Sequence, residues 1–231
     1  MNYIIMCGGN YEFQKPLVKI KGETLVERTI RLLRENGIED IYVSTNSDQY
    51  EFLDVPLLHH KNTYEHDKEI GQPKGCWLEA YYPTDEPTCY LHGDVFFSHD
   101  AIKKIIDAEV DDALFICTCD GNDKRLKRHP MNTGGREPFG YKVQNQEKFR
   151  EGIDYLISIQ DEFRIKPFSW HLYRYLNGLD ICKKARSFTK INNIFREDGK
   201  YLVINDYTRD VDTLGQVKQL EEDLAKWGID V

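Results

Sequence analysis

Strand, glycine turn, cation, helix and second strand follow one another between Tyr3 and Thr45, and no other stretch of the chain constrains its fold as strongly. The apolar run Tyr3–Met6 reads as a strand and leads straight into Cys7-Gly8-Gly9, a glycine turn. Lys15-Pro16-Leu17 and Gly22 follow. Thr24–Asn36 then reads as a helix, with Leu25, Thr29, Leu32 and Leu33 on its apolar face and Asn36-Gly37 as its end. Glu39–Thr45 is the second strand. This is a βαβ unit, which implies parallel strands and a right-handed crossover. Glycines after the first strand let a ligand approach the backbone without meeting a Cβ and leave N–H groups free to face its oxygens. Lys15 adds a movable positive charge, and the proline after it holds it in extended backbone. The set suits a phosphate-bearing ligand. It is not a Walker loop, because no Gly-Lys-Ser/Thr follows, nor the dinucleotide fingerprint, because Gly8-Gly9 lacks a third glycine at the required offset.

The alternation continues. Val55–His59 is expected to be a short third strand and Gly75–Tyr82 a helix. Thr88–His92 reads as a buried strand ending at Gly93-Asp94. Ser98-His99-Asp100 caps a helix over 101–108, and Ala113–Thr118 is another buried strand. The pattern predicts a three-layer α/β/α sandwich with a mostly parallel central sheet. Beyond Asp120 it changes. Asp120–Glu137 is polar, basic and rich in Gly and Asn, and reads as a loop. Phe139–Val143 is expected to be a strand and Phe149–Ile159 a helix. Pro167–Leu176 is aromatic-rich, Asp180–Ser187 is charged and has no assignment, Tyr201–Ile204 is a strand and Leu214–Trp227 a helix. We expect one domain over 1–231, with 120–200 as its acceptor-binding subregion.

With 40% apolar and 30% charged residues the chain has an ordinary globular composition, and its net charge of −8 argues against nucleic acid as a partner. An acidic protein can still bind anions through a local cationic pocket or a metal ion. No apolar run approaches the ~18–20 residues of a membrane span, and no signal-peptide pattern is present. The six cysteines include no Cys-x-x-Cys, so neither a zinc site nor a disulfide framework is expected, and the cytoplasm is the expected compartment.

Asp94 follows a strand and a glycine, where open α/β sheets bind their ligands, and a carboxylate there can hold a divalent metal against phosphates. In Asp210-Val211-Asp212-Thr213 the two carboxylates alternate about Val211 and share a face if the stretch is extended. Mg²⁺ prefers such hard oxygen ligands. The competing assignment makes Asp212 an N-cap and Asp210 a turn residue. Gln72 can pair with a base edge or be an ordinary loop glutamine. Arg125, Arg128 and Arg136, with Lys127 and His129, form a basic cluster that grips an acceptor phosphate or the leaving pyrophosphate, or is a solvated loop. Phe168, Trp170, Tyr173 and Tyr175 fit an acceptor wall, core packing or a homodimer interface. His59, His60 and His66 lack tight ligand spacing and are not expected to bind metal.

The opening resembles that of the nucleotidyltransferase superfamily, which includes sugar-1-phosphate nucleotidyltransferases and cytidylyltransferases. In that family a Gly-Gly loop and a later Lys-Pro-Leu wrap the nucleoside triphosphate. Gln72-Pro73-Lys74-Gly75 is similar to its base-reading segment, Leu91–Phe96 to its metal-binding Gly-Asp strand end, and Asp-Val-Asp-Thr to the segment that completes its metal site. The resemblance runs from Ile4 to Leu220. Here the loop from Asn10 to Gln14 is short and has no arginine. The resemblance implies a Rossmann-like, GT-A-like fold and Mg²⁺-dependent transfer of a nucleotidyl group, CTP favoured, to a small phosphorylated acceptor. It implies Asp94, Asp210 and Asp212 as metal ligands, and Lys15, Asp94 and Asp212 as catalytic residues. Cys7, Gly8, Gly9, Lys15, Gln72, Gly75 and Gly93 would form the nucleotide site. Arg125, Arg128, Arg136, Lys142 and Lys190 are its candidate acceptor ligands. A glycosyltransferase using a nucleotide sugar and a non-catalytic nucleotide-binding protein are the alternatives.

Overall fold

The computed structural model describes residues 1–8, 14–60, 65–67, 72–74, 77–118, 129, 137–163, 167–181, 183 and 200–229. Seven strands form the central sheet: β1 (Asn2–Met6), β2 (Ile41–Thr45), β3 (Leu57–His59), β4 (Thr88–His92), β5 (Ala113–Thr118), β6 (Pro138–Val143) and β7 (Tyr201–Ile204). Their spatial order is β7-β5-β6-β4-β1-β2-β3. All pairings are parallel except those of β6, which runs antiparallel to both β4 and β5.

The strands alternate as a sheet covered on both faces requires. Tyr3, Ile5 and Cys7 face one layer with Cys89 and Leu91. Helix α1 (Leu25–Glu35) and helix α2 (His99–Asp107) cover it with Val26, Ile30, Leu33, Ile102 and Ile105. Ile4, Met6 and Tyr90 face the other layer, where α3 (Gln146–Ser158) and α4 (Ser169–Leu176) supply Phe149, Ile153, Trp170 and Tyr173. Each large side chain fully buried in these layers contributes on the order of 1.5–3 kcal/mol. A third cluster seats the last helix, α5 (Leu214–Trp227), whose Leu220 and Leu224 pack with Val18, Ile20, Leu25, Phe96 and Val211.

Local chemistry sets the element ends. Thr24 and Glu27 form a reciprocal capping box that starts α1, and Gly37, at φ 79°, follows its last turn. Ser98 caps α2 and Asn145 caps α3. In place of the helix expected over Gly75–Tyr82, the described part is a single 3₁₀ turn, Trp77–Ala80. Pro83, just beyond it, cannot continue a helix. The aromatic-rich stretch is helix α4.

The chain builds β1, β2 and β3 outward in one direction, then returns to place β4 on the other side of β1. The order therefore reverses between β1 and β4. In open α/β sheets ligands bind beyond the carboxyl ends of the strands at such a switch point.

Candidate active site

At the switch point β4 is fastened to β1. Gly93 N–H donates to the Met6 carbonyl at 3.0 Å. A Cβ on Gly93 would lie 2.6 Å from Cys7 Sγ, 2.8 Å from Met6 O and 3.2 Å from Pro16 Cγ, so only glycine fits. Lys15-Pro16-Leu17 forms a short 3₁₀ turn with Pro16 buried, and the turn aims the Lys15 ammonium at Asp94, 3.4 Å away. Tyr50 O–H donates to Gln14 Oε1 at 3.1 Å and steadies the residue before that turn.

The remaining carboxylates arrive from the far end of the chain. Arg209–Asp210 pairs antiparallel with Val95–Phe96, and Val211 N–H donates to the Asp94 carbonyl at 3.0 Å. Val211 is fully buried, so Asp210 and Asp212 on either side of it turn toward Asp94. One oxygen from each of Asp94, Asp210 and Asp212 lies within 4.8 Å of the others. Among the described residues, this is the one group of His, Cys, Asp or Glu placed to hold a metal ion. Two clips hold the returning segment. Ser98 N–H donates to Thr208 Oγ1 and Ser98 O–H to Asp206 Oδ2, and Arg209 pairs with Asp223 of α5 at 2.8 Å. The N-cap of α5 is Thr213, which forms a capping box with Gln216, so the N-cap assignment of Asp212 is corrected. The Asp212 carboxylate instead pairs with Lys15.

Charge is crowded here. Burial, then the charges of Asp94 and Asp212, push the Asp210 carboxyl up to about 9. Burial acts against ionisation of Asp212 as well, but its hydrogen bond and ion pair with Lys15 outweigh burial and hold it below the ordinary range. Burial likewise opposes the charge on Lys15, but Asp94, Asp212 and Asp210 outweigh it and raise its pKa. Three carboxylates face one lysine here, and burial is the first cause of the upward shift of Asp210. Hard oxygen donors in a half-buried, overcharged site suit a hydrated divalent cation. Burial holds the Cys7 thiol well above its ordinary pKa, so it is a neutral wall of the site and not a nucleophile.

Of the residues singled out from the sequence, Cys7, Gly8, Lys15, Gly93, Asp94, Asp210 and Asp212 gather at this edge of the sheet. Gly8 lies against His60: a Cβ there would be 2.7 Å from the ring. Gln72 lies in a short strand, Gln72–Lys74, paired antiparallel with Glu65–Asp67. Gly9, Gly75, Arg125, Arg128, Arg136 and Lys190 lie outside the described residues. Trp170 and Tyr173 are buried core residues against Phe115, at ring-centroid distances of 4.8 and 5.2 Å, and Tyr175 stacks on Tyr155. Of the three uses open to that aromatic group, Trp170 and Tyr173 take core packing.

Lys142 requires correction as an acceptor ligand. It pairs in register with Cys89, near the start of β4, whereas Asp94 lies past that strand's end. Its ammonium is buried and donates to the carbonyls of Ile105, Ile106 and Ala108 at 2.7–3.0 Å, closing the carboxyl end of α2. Lys142→Met should therefore destabilise the fold by about 3 kcal/mol, because one buried and two partly buried carbonyls lose their charged donor. Denaturant unfolding measures this. Undiminished stability together with a raised acceptor KM would restore Lys142 to the site.

Two neighbours of the carboxylates were not singled out. Glu137 precedes β6, and extending the Gly140–Leu91 register brings it level with Asp94 on the side away from β1. Burial, then Asp212 and Asp94, raise its pKa. His92 closes β4, and its Nε2 lies 3.4 Å from Ser169 Oγ, which meets the Tyr81 hydroxyl at 2.8 Å. Its place next to Gly93-Asp94 was a signal in the sequence, whereas Glu137 is brought near only by strand pairing.

The family model for the MobA-like NTP transferase domain matches residues 4–186. No curated protein matches the chain by sequence. Among solved structures, a Bacillus anthracis protein assigned as a glucose-1-phosphate thymidylyltransferase is 16% identical, covers 96% of this chain and 94% of its own, and superposes with a TM-score of 0.50. It shares the fold. The 4-diphosphocytidyl-2C-methyl-D-erythritol synthase of Anaerococcus prevotii is 15% identical over 97% of this chain and 95% of its own, with a TM-score of 0.48. The CTP:phosphocholine cytidylyltransferase of Streptococcus pneumoniae is 14% identical over 96% and 98%, with a TM-score of 0.46. At those scores neither adds to the fold assignment.

Proposed function

The chain belongs to the MobA-like NTP transferase domain family, and from that premise we propose that it couples CTP to a small phosphorylated acceptor and releases pyrophosphate. The observation that carries this reading is the convergence of Asp94, Asp210 and Asp212 around Lys15 at the β1/β4 switch point. An oxygen of the acceptor phosphate attacks the α-phosphorus of the nucleotide. The bond from that phosphorus to the oxygen bridging to the β-phosphate breaks, and pyrophosphate leaves with the electron pair. The acceptor phosphate, with a second pKa of about 6, is already ionised at neutral pH and needs no general base. The protein's work is alignment and charge neutralisation.

Asp94, Asp210 and Asp212 would hold Mg²⁺, which when bound supplies positive charge to the phosphate oxygens. Lys15 would meet the triphosphate, and Cys7, Gly8, Gly9, Gln72, Gly75 and Gly93 are the candidate nucleotide contacts. Glu137 and His92 border the opposite side, toward the subregion 120–200, where we place the acceptor and where Arg125, Arg128, Arg136 and Lys190 remain its candidate phosphate ligands. The preference for CTP rests on the short loop from Asn10 to Gln14 and on Asp210-Val211-Asp212. Among the described residues no helix is long and apolar enough to cross a membrane. We place the reaction in the cytoplasm and keep a homodimer as an open assembly state.

A glycosyltransferase of related fold usually carries Asp-x-Asp at the central strand end. Here that position reads Asp94-Val95-Phe96, and the second and third carboxylates come from the C-terminal segment, which favours nucleotidyl transfer.

The test is a pyrophosphate-release screen of the four nucleoside triphosphates with Mg²⁺ against sugar phosphates, phosphocholine and other phosphomonoesters. Acceptor-dependent release, greatest with CTP, is expected. Release with another nucleotide alone would overturn the base assignment. Turnover of nucleotide sugars with no pyrophosphate would favour the glycosyltransferase.

A further inference from the structure

Lys15 does not point into open solvent to await a triphosphate. Its ammonium is engaged with two of the three carboxylates, 3.4 Å from Asp94 Oδ2 and in close contact with Asp212 Oδ1. The side chains of Lys15 and Asp94 are only 19% and 20% exposed, so the pair is shielded from the water that would weaken it. Asp210 contributes its field to the same lysine. The lysine thus occupies the direction from which a cation would reach these oxygens.

We propose that Lys15 is the resident counter-cation of the Asp94–Asp210–Asp212 group, so that it excludes bare divalent ions and admits the metal only together with a triphosphate that draws the lysine away. This rests on the nucleotidyltransferase reading above and adds a specificity role for Lys15 to it. A divalent ion takes oxygen ligands at about 2.0–2.1 Å, so one held by Asp94 and Asp212 would stand within a few ångströms of the ammonium that now pairs with them. Its charge would also repel the lysine at short range. A metal ion alone must displace the ammonium from both ion pairs and brings no anion of its own to receive it. A metal–triphosphate complex supplies the displacing cation and the receiving anion together. Metal and nucleotide should then favour each other's binding, and by linkage the coupling is the same in either order.

The probe is Mn²⁺ alone, titrated without nucleotide into the intact protein and followed by calorimetry and by loss of the free-ion spin-resonance signal. Lys15→Met should bind Mn²⁺ tighter than the wild type by on the order of tenfold or more, the scale of one unit charge removed at contact distance in a partly shielded site. Adding Asp94→Asn to that variant should abolish the gain, locating the ion at these carboxylates. Equal or weaker Mn²⁺ binding by a folded Lys15→Met overturns the inference and leaves the metal site standing. If neither protein binds Mn²⁺, the metal reading falls and the inference with it. A measurement on the wild type guards against a variant that does not fold. Acylation of Lys15 by a water-soluble amine reagent, read by mass spectrometry, should increase at saturating Mn²⁺. Unchanged labelling with Mn²⁺ bound would overturn the displacement.

Discussion

Asp94→Asn should lower kcat by at least about 10²–10³-fold, roughly 3–4 kcal/mol of transition-state stabilisation, while leaving the protein folded. The substitution keeps the shape of the side chain and removes one hard anionic ligand from the group of three. The contact that builds the site at this residue is made by its backbone, whose carbonyl accepts from Val211 N–H at 3.0 Å, and an asparagine retains it. Lys15 keeps its pair with Asp212. Removing one of three crowded carboxylates also relieves Asp210, so the melting temperature should hold or rise. Steady-state pyrophosphate release and a thermal melt on the same preparation decide the matter. A folded variant with wild-type kcat would place the chemistry elsewhere. A variant that melts early would make Asp94 a structural residue.

Gly140→Ala should prevent the native fold from forming. Gly140 lies in β6, between β4 and β5, at φ 153°, beside the register shift between Ile116 and Cys117. A Cβ there would stand 2.0 Å from the Tyr90 carbonyl oxygen and 3.2 Å from Leu91 Cα. These are backbone atoms of a strand paired on both sides, so neither can move aside without opening the ladder. The cost should exceed about 4 kcal/mol, a large share of the ~5–15 kcal/mol by which domains are stable. Soluble yield and melting temperature measure it. Gly215→Ala, where the nearest atom to the added carbon is Thr213 Oγ1 at 3.7 Å, is the matched control and should be tolerated. A Gly140→Ala protein as stable as the control would show that β6 does not approach β4 as closely as this register requires.

The features legible in the sequence were those with a local physical cause. The helical spacing of Leu25, Thr29, Leu32 and Leu33 before Asn36-Gly37, the apolar run Tyr3–Met6, and the glycine followed by Asp94 at the end of an apolar strand are each written within a few residues. They predicted the βαβ opening, the covered parallel sheet and Asp94 at a ligand-facing edge. The helix expected over Gly75–Tyr82 is one 3₁₀ turn, Trp77–Ala80, in its described part.

What the tertiary structure decided was direction and long-range pairing. No local pattern states that Arg209–Asp210 will lie against Val95–Phe96, yet that pairing brings Asp212 to Lys15 across 197 positions and makes three separate carboxylates one site. Lys142 shows the same point in reverse. Its sequence context suggested a second cation for the cleft. Because β6 alone runs antiparallel in the sheet, its final residues lie at the amino end of β4, and the lysine closes helix α2 on the side away from the carboxylates. That same reversal carries Glu137, at the start of β6, to the level of Asp94. The hydrophobic period of a strand encodes which face each residue takes, because successive side chains alternate across the sheet. It does not encode which end of the sheet the strand enters from, and only the packed neighbours settle that.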